Sequence, residues 1–231
     1  MENKEEFKPK YVDLTYPIEE GMLTYPVPWH PIVSVTQLGR IGVEGRETRK
    51  IELGTHTGTH LDAALHFIKA GYGVDQIPLE TLIGPVSIHD FSQLLPGEKI
   101  EVKHIENLSI TERMIFKFNW GRYWGKKDYY KDFPYISKEA AYLLIEKGLK
   151  LIGMDTPSPD GLASDAMEDC PVHKIFLKHS IVIVEYLANL EIINDLEGWE
   201  LIVLPLNIKG ADGSPVRALL KKSEEERARN G

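Results

Sequence analysis

Between positions 56 and 66 the chain reads His56-Thr57-Gly58-Thr59-His60-Leu61-Asp62-Ala63-Ala64-Leu65-His66, so three of its eight histidines fall in eleven consecutive residues. Two imidazoles and a carboxylate this close together are the donor set that holds Zn²⁺ or a related divalent ion. The i, i+4 spacing of His56 and His60 also occurs in helical zinc motifs, but Thr57-Gly58-Thr59 between them disfavours a regular helix. In an extended segment, alternation would turn His56, Gly58, His60 and Asp62 to one side, with Gly58 removing bulk where the chain approaches the ion or bends. A loop could converge the same three side chains. The bland alternative is a polar strand edge with satisfied histidines and Asp62 as a cap. Three donors in seven residues, with His66 close behind, outweigh it, and His56, His60 and Asp62 are expected to bind metal.

A second constellation lies downstream. His173 is followed twelve residues later by Glu185, inside Ser180-Ile181-Val182-Ile183-Val184-Glu185-Tyr186. A carboxylate in so apolar a run is costly to bury without a cation, a metal or hydrogen-bond donors. Pairing with an arginine, or a solvent-facing edge position, would serve as well; beside the upstream cluster, His173 and Glu185 become credible further ligands. Cys170 stands three residues before His173 but has no cysteine partner, and a lone cysteine is more often a small buried hydrophobe, so it is left out. His30, His89, His104 and His179 have no comparable company and are read as surface or core histidines.

The elements that must position these groups are mostly extended. Strands are expected at Tyr11–Thr15, Ile32–Gln37, Thr48–Leu53, Val86–His89, around Gly97–Val102, and at Arg113–Phe118, Leu149–Met154, Ser180–Tyr186 and Leu201–Leu206. The clearest helix is Lys138–Lys147, capped by Ser137 and ended by Gly148; Val172–Lys178 is a second. Strands outnumbering helices favour one α/β domain over residues 1–231, with a mixed, barrel-like β core flanked by helices and a polar end at Lys221–Gly231. The chain's 231 residues, 42% of them hydrophobic, suffice for a real core.

A net charge of −8 without a long basic stripe argues against nucleic acid as a partner. The charged first ten residues carry no apolar leader, and Ile181–Leu190 is too short to span a bilayer. With one cysteine and so no intrachain disulfide, the chain reads as a soluble cytoplasmic protein that needs no membrane.

The run HTGTHLDAALH resembles the signature His-x-Gly-Thr-His-x-Asp-x-Pro-x-His of the cyclase family of metal-dependent hydrolases, whose best-known members are bacterial kynurenine formamidases. Three further segments match in order. They are Asp13-Leu14-Thr15 with Pro17-Ile18 and Gly21-Met22, then Gly153-Met154-Asp155-Thr156-Pro157-Ser158, and finally His173 through Leu190. The resemblance implies that His56, His60 and Asp62 hold one metal, that Asp62 bridges to a second completed by His173 and Glu185, and that His66 is the catalytic acid/base. It implies the family's α/β domain around a barrel-like β core, one or two Zn²⁺ (or Mn²⁺) ions per chain, and homodimers or homotetramers with sites near subunit contacts.

The implied activity is hydrolysis of an aromatic amide, as in arylformamidases converting N-formylkynurenine to kynurenine and formate, which would place the protein in tryptophan breakdown. An isatin-type cyclic amide or lactone hydrolase is the alternative. A non-enzymatic metal-binding protein, the reading from another class, has no use for His66 left beside the ligands. The sequence departs from the pattern at Ala64, where the signature has proline, a change expected to loosen the turn before His66. It departs again at Tyr25–His30 and at Lys117-Phe118-Asn119-Trp120, where substrate contacts are expected. Tyr25, Trp29 and Trp120 could wall an aryl substrate, although core or surface packing is the commoner fate of aromatic residues. The aromatic, lysine-rich run Gly121–Phe133 is a candidate contact surface.

Overall fold

The computed structural model describes residues 10–162 and 169–223. Its strands are β1 (Tyr11–Asp13), β2 (Ser34–Gly39), β3 (Thr48–Glu52), β4 (His60–Asp62), β5 (Ile83–Asp90), β6 (Lys99–Ile100), β7 (Arg113–Lys117), β8 (Tyr135–Ile136), β9 (Leu151–Met154), β10 (Val182–Glu185), β11 (Trp199–Pro205) and β12 (Gly213–Lys222). The main sheet runs β1-β12-β11-β5-β7-β9-β10-β4, and a further pairing of β4 with β12 closes seven of these strands into a barrel. Pairings β5–β7, β7–β9 and β9–β10 are parallel and the other barrel pairings antiparallel, so the chain is a single α/β domain around a mixed barrel.

The barrel's parallel strands show why their sequences read as unbroken apolar runs. Every residue of β7, β9 and β10 is buried, because helices cover the outside while the barrel fills its own interior. Leu61, Ile88, Ile115, Leu151, Val182, Val184, Leu201, Val203, Ala218 and Leu220 come from all seven strands and pack as one cluster, the barrel interior. Phe116, Ile152 and Ile183 point the other way, into a second core with Leu144 and Phe176 from the helices Lys138–Glu146 and Pro171–Lys178. The first of these helices is capped as expected: the Ser137 hydroxyl accepts from Ala140 N at 3.2 Å, and Gly148, at φ +90°, ends it.

Several expectations are corrected. The stretch read as a strand around Gly97–Val102 is only the two residues of β6, and a short helical turn starts at Val102. The strand expected at Val86–His89 is longer, β5 taking in Ile83, Gly84 and Pro85 before it, directly after a helical turn at Leu79–Leu82. β12, the longest strand among the described residues, has no counterpart among the strands expected from the sequence. Lys221 and Lys222, assigned to the polar end, belong to it; residues 224–231 of that end lie outside the described residues. Among the described residues no helix is long and apolar enough to cross a membrane.

β2 and β3 form a separate two-stranded ribbon in which every residue of β3 is exposed. The run Gly121–Phe133, by contrast, is not an exposed aromatic surface: Tyr129, Tyr130 and Phe133 are buried, and Trp124 stacks on Tyr16 with ring centroids 3.8 Å apart.

Candidate metal centre

Register does most of the positioning. β4 pairs with β10 so that Glu185 lies opposite His60 and Ile183 opposite Asp62. Alternation sends Leu61 and Val184 into the barrel, which turns His60, Asp62 and Glu185 to the outer face beneath the helix Pro171–Lys178. The third residue of that helix is His173. His56 arrives by a loop, not by the extended path: Gly58 sits at φ +59°, and β4 begins only at His60.

The result is a contiguous set of donors. Asp62 Oδ1 lies 2.7 Å from His56 Nδ1 and 3.3 Å from His60 Nε2. His60 Nε2 is 3.3 Å from Glu185 Oε2, and His173 Nε2 is 3.1 Å from Glu185 Oε1 and 3.5 Å from Asp62 Oδ2. Each of His60, Asp62, His173 and Glu185 is almost wholly buried. All five residues expected to ligate metal are therefore brought together, and among the described residues Glu185 has neither an arginine partner nor a solvent-facing position. His66 stands beside the set, its ring 3.9 Å from that of His56 and its side chain 25% exposed.

The far sides of two imidazoles are already committed. His60 Nδ1 donates to the Gly58 carbonyl at 2.8 Å, and His173 Nδ1 donates to Asp160 Oδ2 at 2.7 Å. Both rings thus direct Nε2 at the carboxylates, the orientation that outer hydrogen bonds give to metal-binding histidines. Asp160 was missed by sequence reasoning. It also accepts the backbone N–H groups of Val172 and His173, at 2.7 and 3.0 Å, so one carboxylate caps the helix and aims the ring.

Burial opposes charge on His60, but hydrogen bonds to Asp62 and Glu185 outweigh it and raise its pKa to about 10. His173 and His56 are raised for the same kind of reason, burial again losing to their carboxylates: Asp160, Asp62 and Glu185 for the one, Asp62 and Asp212 for the other. Burial would push Asp62 up, yet the charge of the neighbouring His56 imidazole and hydrogen bonds to His173 and His56 hold it well below its ordinary value. Protons on these rings balance the buried carboxylates, and a divalent cation would do so in their place. Asp62 Oδ2 is buried without a hydrogen-bond partner. An acceptor stranded in this way, between imidazole nitrogens whose other sides are fixed, fits a metal ligand. The ligand atoms of His60, Asp62 and Glu185 lie within 4.8 Å of one another, as do those of His56, Asp62 and His66. A third group, Asp160, Cys170 and His173, meets the same measure, although burial raises the Cys170 thiol to about 12, which disfavours the ligating thiolate.

The mouth departs from expectation in three places. His30, read as a surface or core residue, stacks over His56 with ring centroids 6.2 Å apart. The turn at Ala64 is held despite the missing proline, since Leu65 N donates to Tyr72 O at 3.1 Å and His66 N to Ala63 O at 3.0 Å. Of the three aromatic wall candidates, Trp120 is 2% exposed and belongs to the core, and Trp29 is 75% exposed. Only Tyr25 borders the site, edge-on to Tyr130 and tilted against His30. Tyr186, directly after Glu185, adds a ring 5.4 Å from His60.

The family model described as "Putative cyclase" matches residues 12–161. The chain belongs to the cyclase family. Among cyclase-family relatives, the kynurenine formamidase of Bacillus cereus is 34% identical over 219 residues, covering 92% of this chain and 97% of that protein. Isatin hydrolase A from Labrenzia aggregata, solved with benzyl benzoate, shares the fold with a TM-score of 0.84 and 26% identity, over 93% of this chain and 94% of its own. A predicted metal-dependent hydrolase from Bacillus stearothermophilus matches with a TM-score of 0.73 and 29% identity, over 91% and 97% of the two chains.

Proposed function

We propose that this cyclase-family chain is a metal-dependent hydrolase of an amide C–N bond whose substrate is an arylformamide of the N-formylkynurenine type. The observation that carries the reading is the buried junction of His56, His60, Asp62, His173 and Glu185, with His66 left at its open side. His56, His60 and Asp62 would hold one ion, and Asp62, His173 and Glu185 a second; Zn²⁺ suits the nitrogen-rich set and Mn²⁺ is the other choice. When bound, the metal supplies Lewis acidity, which makes water acidic enough to deprotonate near neutral pH and polarises the substrate carbonyl.

His66 takes the proton from the attacking water as the C–O bond forms, then delivers it to the nitrogen as the C–N bond breaks, leaving formate and a free amine. Tyr25, half-buried beside His30, offers a flat apolar face suited to an aryl ring. Release of formate from N-formylkynurenine should vanish on chelation and return on reloading with Zn²⁺ or Mn²⁺. Metal-loaded protein that releases no formate would overturn the formamidase reading. The likeness to isatin hydrolase A favours one second reading, opening of a cyclic amide, in which the product keeps all its carbon and no formate appears.

The projecting ribbon of β2 and β3 is the contact between copies of the chain in a homodimer or homotetramer. A lone two-stranded ribbon is marginal in water, yet this one and its surroundings expose Ile32, Leu38, Ile41, Val43 and Ile51, each 60% or more. Sedimentation of the double variant Leu38→Glu, Ile51→Glu should give the mass of one chain. An unchanged assembly would remove the ribbon from the interface.

A further inference from the structure

Asp212 reaches the site from the far side of the sequence, on the loop that leads into β12. The loop is pinned by its backbone: Ala63 N donates to Asp212 O and Val74 N to Ala211 O, both at 2.9 Å, and Gly210 N donates to Asp75 Oδ1 at 2.8 Å. The next residue, Gly213, lies opposite Asp62, where a Cβ would come within 2.6 Å of His56 Cε1, so only glycine lets the chain pass this close to the ring. The carboxylate is therefore delivered by the fold. Its Oδ2 lies 2.8 Å from His56 Nε2 and 3.4 Å from His66 Nδ1, and Thr55 adds a side-chain hydrogen bond.

We propose that Asp212 is a positioning residue that holds His66 with its proton on Nδ1 and ties it, through one shared oxygen, to His56. The proposal rests on the role given to His66 above. A neutral imidazole has one N–H, and a carboxylate oxygen can only accept, so the nitrogen facing Asp212 is the one that carries hydrogen. Nε2 is then the atom that takes the proton from water and returns it to the leaving nitrogen. The ring contacts of His66 with Phe67, at 4.5 Å, and with His56 do not select between its two nitrogens. Asp212 does.

The test is the isosteric variant Asp212→Asn, which can turn an N–H₂ towards His66 and so favour the other tautomer. With bound metal counted and equal to wild type, kcat should fall by about 10²–10⁴-fold, the range seen when an acid/base histidine loses its orienting carboxylate, with little change in KM. In a His66→Ala background the same substitution should cost almost nothing further, because Asp212 acts through His66. Full additivity would overturn the proposal. A readout free of turnover is nitrogen NMR of histidine-labelled, zinc-loaded protein, in which His66 should be Nδ1–H in wild type and shift towards Nε2–H in Asp212→Asn. His66 found as Nε2–H in wild type would overturn it as well. Wild-type protein inactive on every arylformamide would overturn the functional reading, and the NMR result would still decide the tautomer.

Discussion

Asp62→Asn is expected to strip the protein of its metal and to reduce amide turnover by about 10³-fold or more, the scale set by losing several kcal/mol of Lewis-acid stabilisation. No other side chain in the site stands between so many donors: its two oxygens approach His56, His60 and His173, and the residue has no exposed surface. The amide keeps the shape but replaces one acceptor with a donor, which then faces imidazole nitrogens where a cation belongs. Metal analysis after chelation and reloading measures the first effect, and formate release the second. Wild-type stoichiometry in Asp62→Asn would show that the ions are held without it and would dismantle the shared-carboxylate arrangement.

His66→Ala should behave in the opposite way towards metal. Turnover should drop by about 10²–10⁴-fold, the usual worth of a general acid/base, while metal content stays near that of wild type. The contrast is informative because the geometry offers His66 two roles: its ligand atoms also fall within 4.8 Å of those of His56 and Asp62. A side chain that is 25% exposed and borders the open side suits proton exchange with a substrate, whereas His60 and His173 are sealed in. Loss of an ion together with the His66 ring would make it a ligand and leave the proton transfer without an owner.

The candidate metal cluster was legible because its residues are concentrated. His56, His60 and Asp62 sit within seven residues, a density that outweighs a polar strand edge as the explanation. His173 and Glu185 were harder, since each alone has an ordinary explanation; only the company of the upstream cluster made them credible ligands, and the register of β10 against β4 supplies the physical link. Asp160 and Asp212 gave no signal. Asp160 acts through a helix N-terminus whose start depends on the fold, and Asp212 meets His56 across 156 positions of sequence.

β12 was hidden for a related reason. Its sequence, Gly213-Ser214-Pro215-Val216-Arg217-Ala218-Leu219-Leu220-Lys221-Lys222, opens on turn-forming residues and closes on lysines, which locally favours a loop. Partners override that preference. Gly213–Pro215 pairs with β4, and the rest pairs with β11 and, in part, with β1. The exposed aromatics expected in Gly121–Phe133 failed on the same ground, because composition does not reveal which side of a segment meets the core.

The position of β12 also governs when the barrel can close and Asp212 can reach His56 during synthesis. Residues 60–62 leave the ribosome long before residues 213–215, yet only their pairing closes the barrel and brings Asp212 against His56. Until then β4 has its β10 partner but not its β12 partner, and the barrel stays open along that edge. Joining such distant segments is the slow kind of folding event, because loop entropy is lost before any contact rewards it. The contact of Asp212 with His56 is therefore a late event that waits for β12, whereas the pairing of β4 with β10 that joins His60, Asp62 and Glu185 does not.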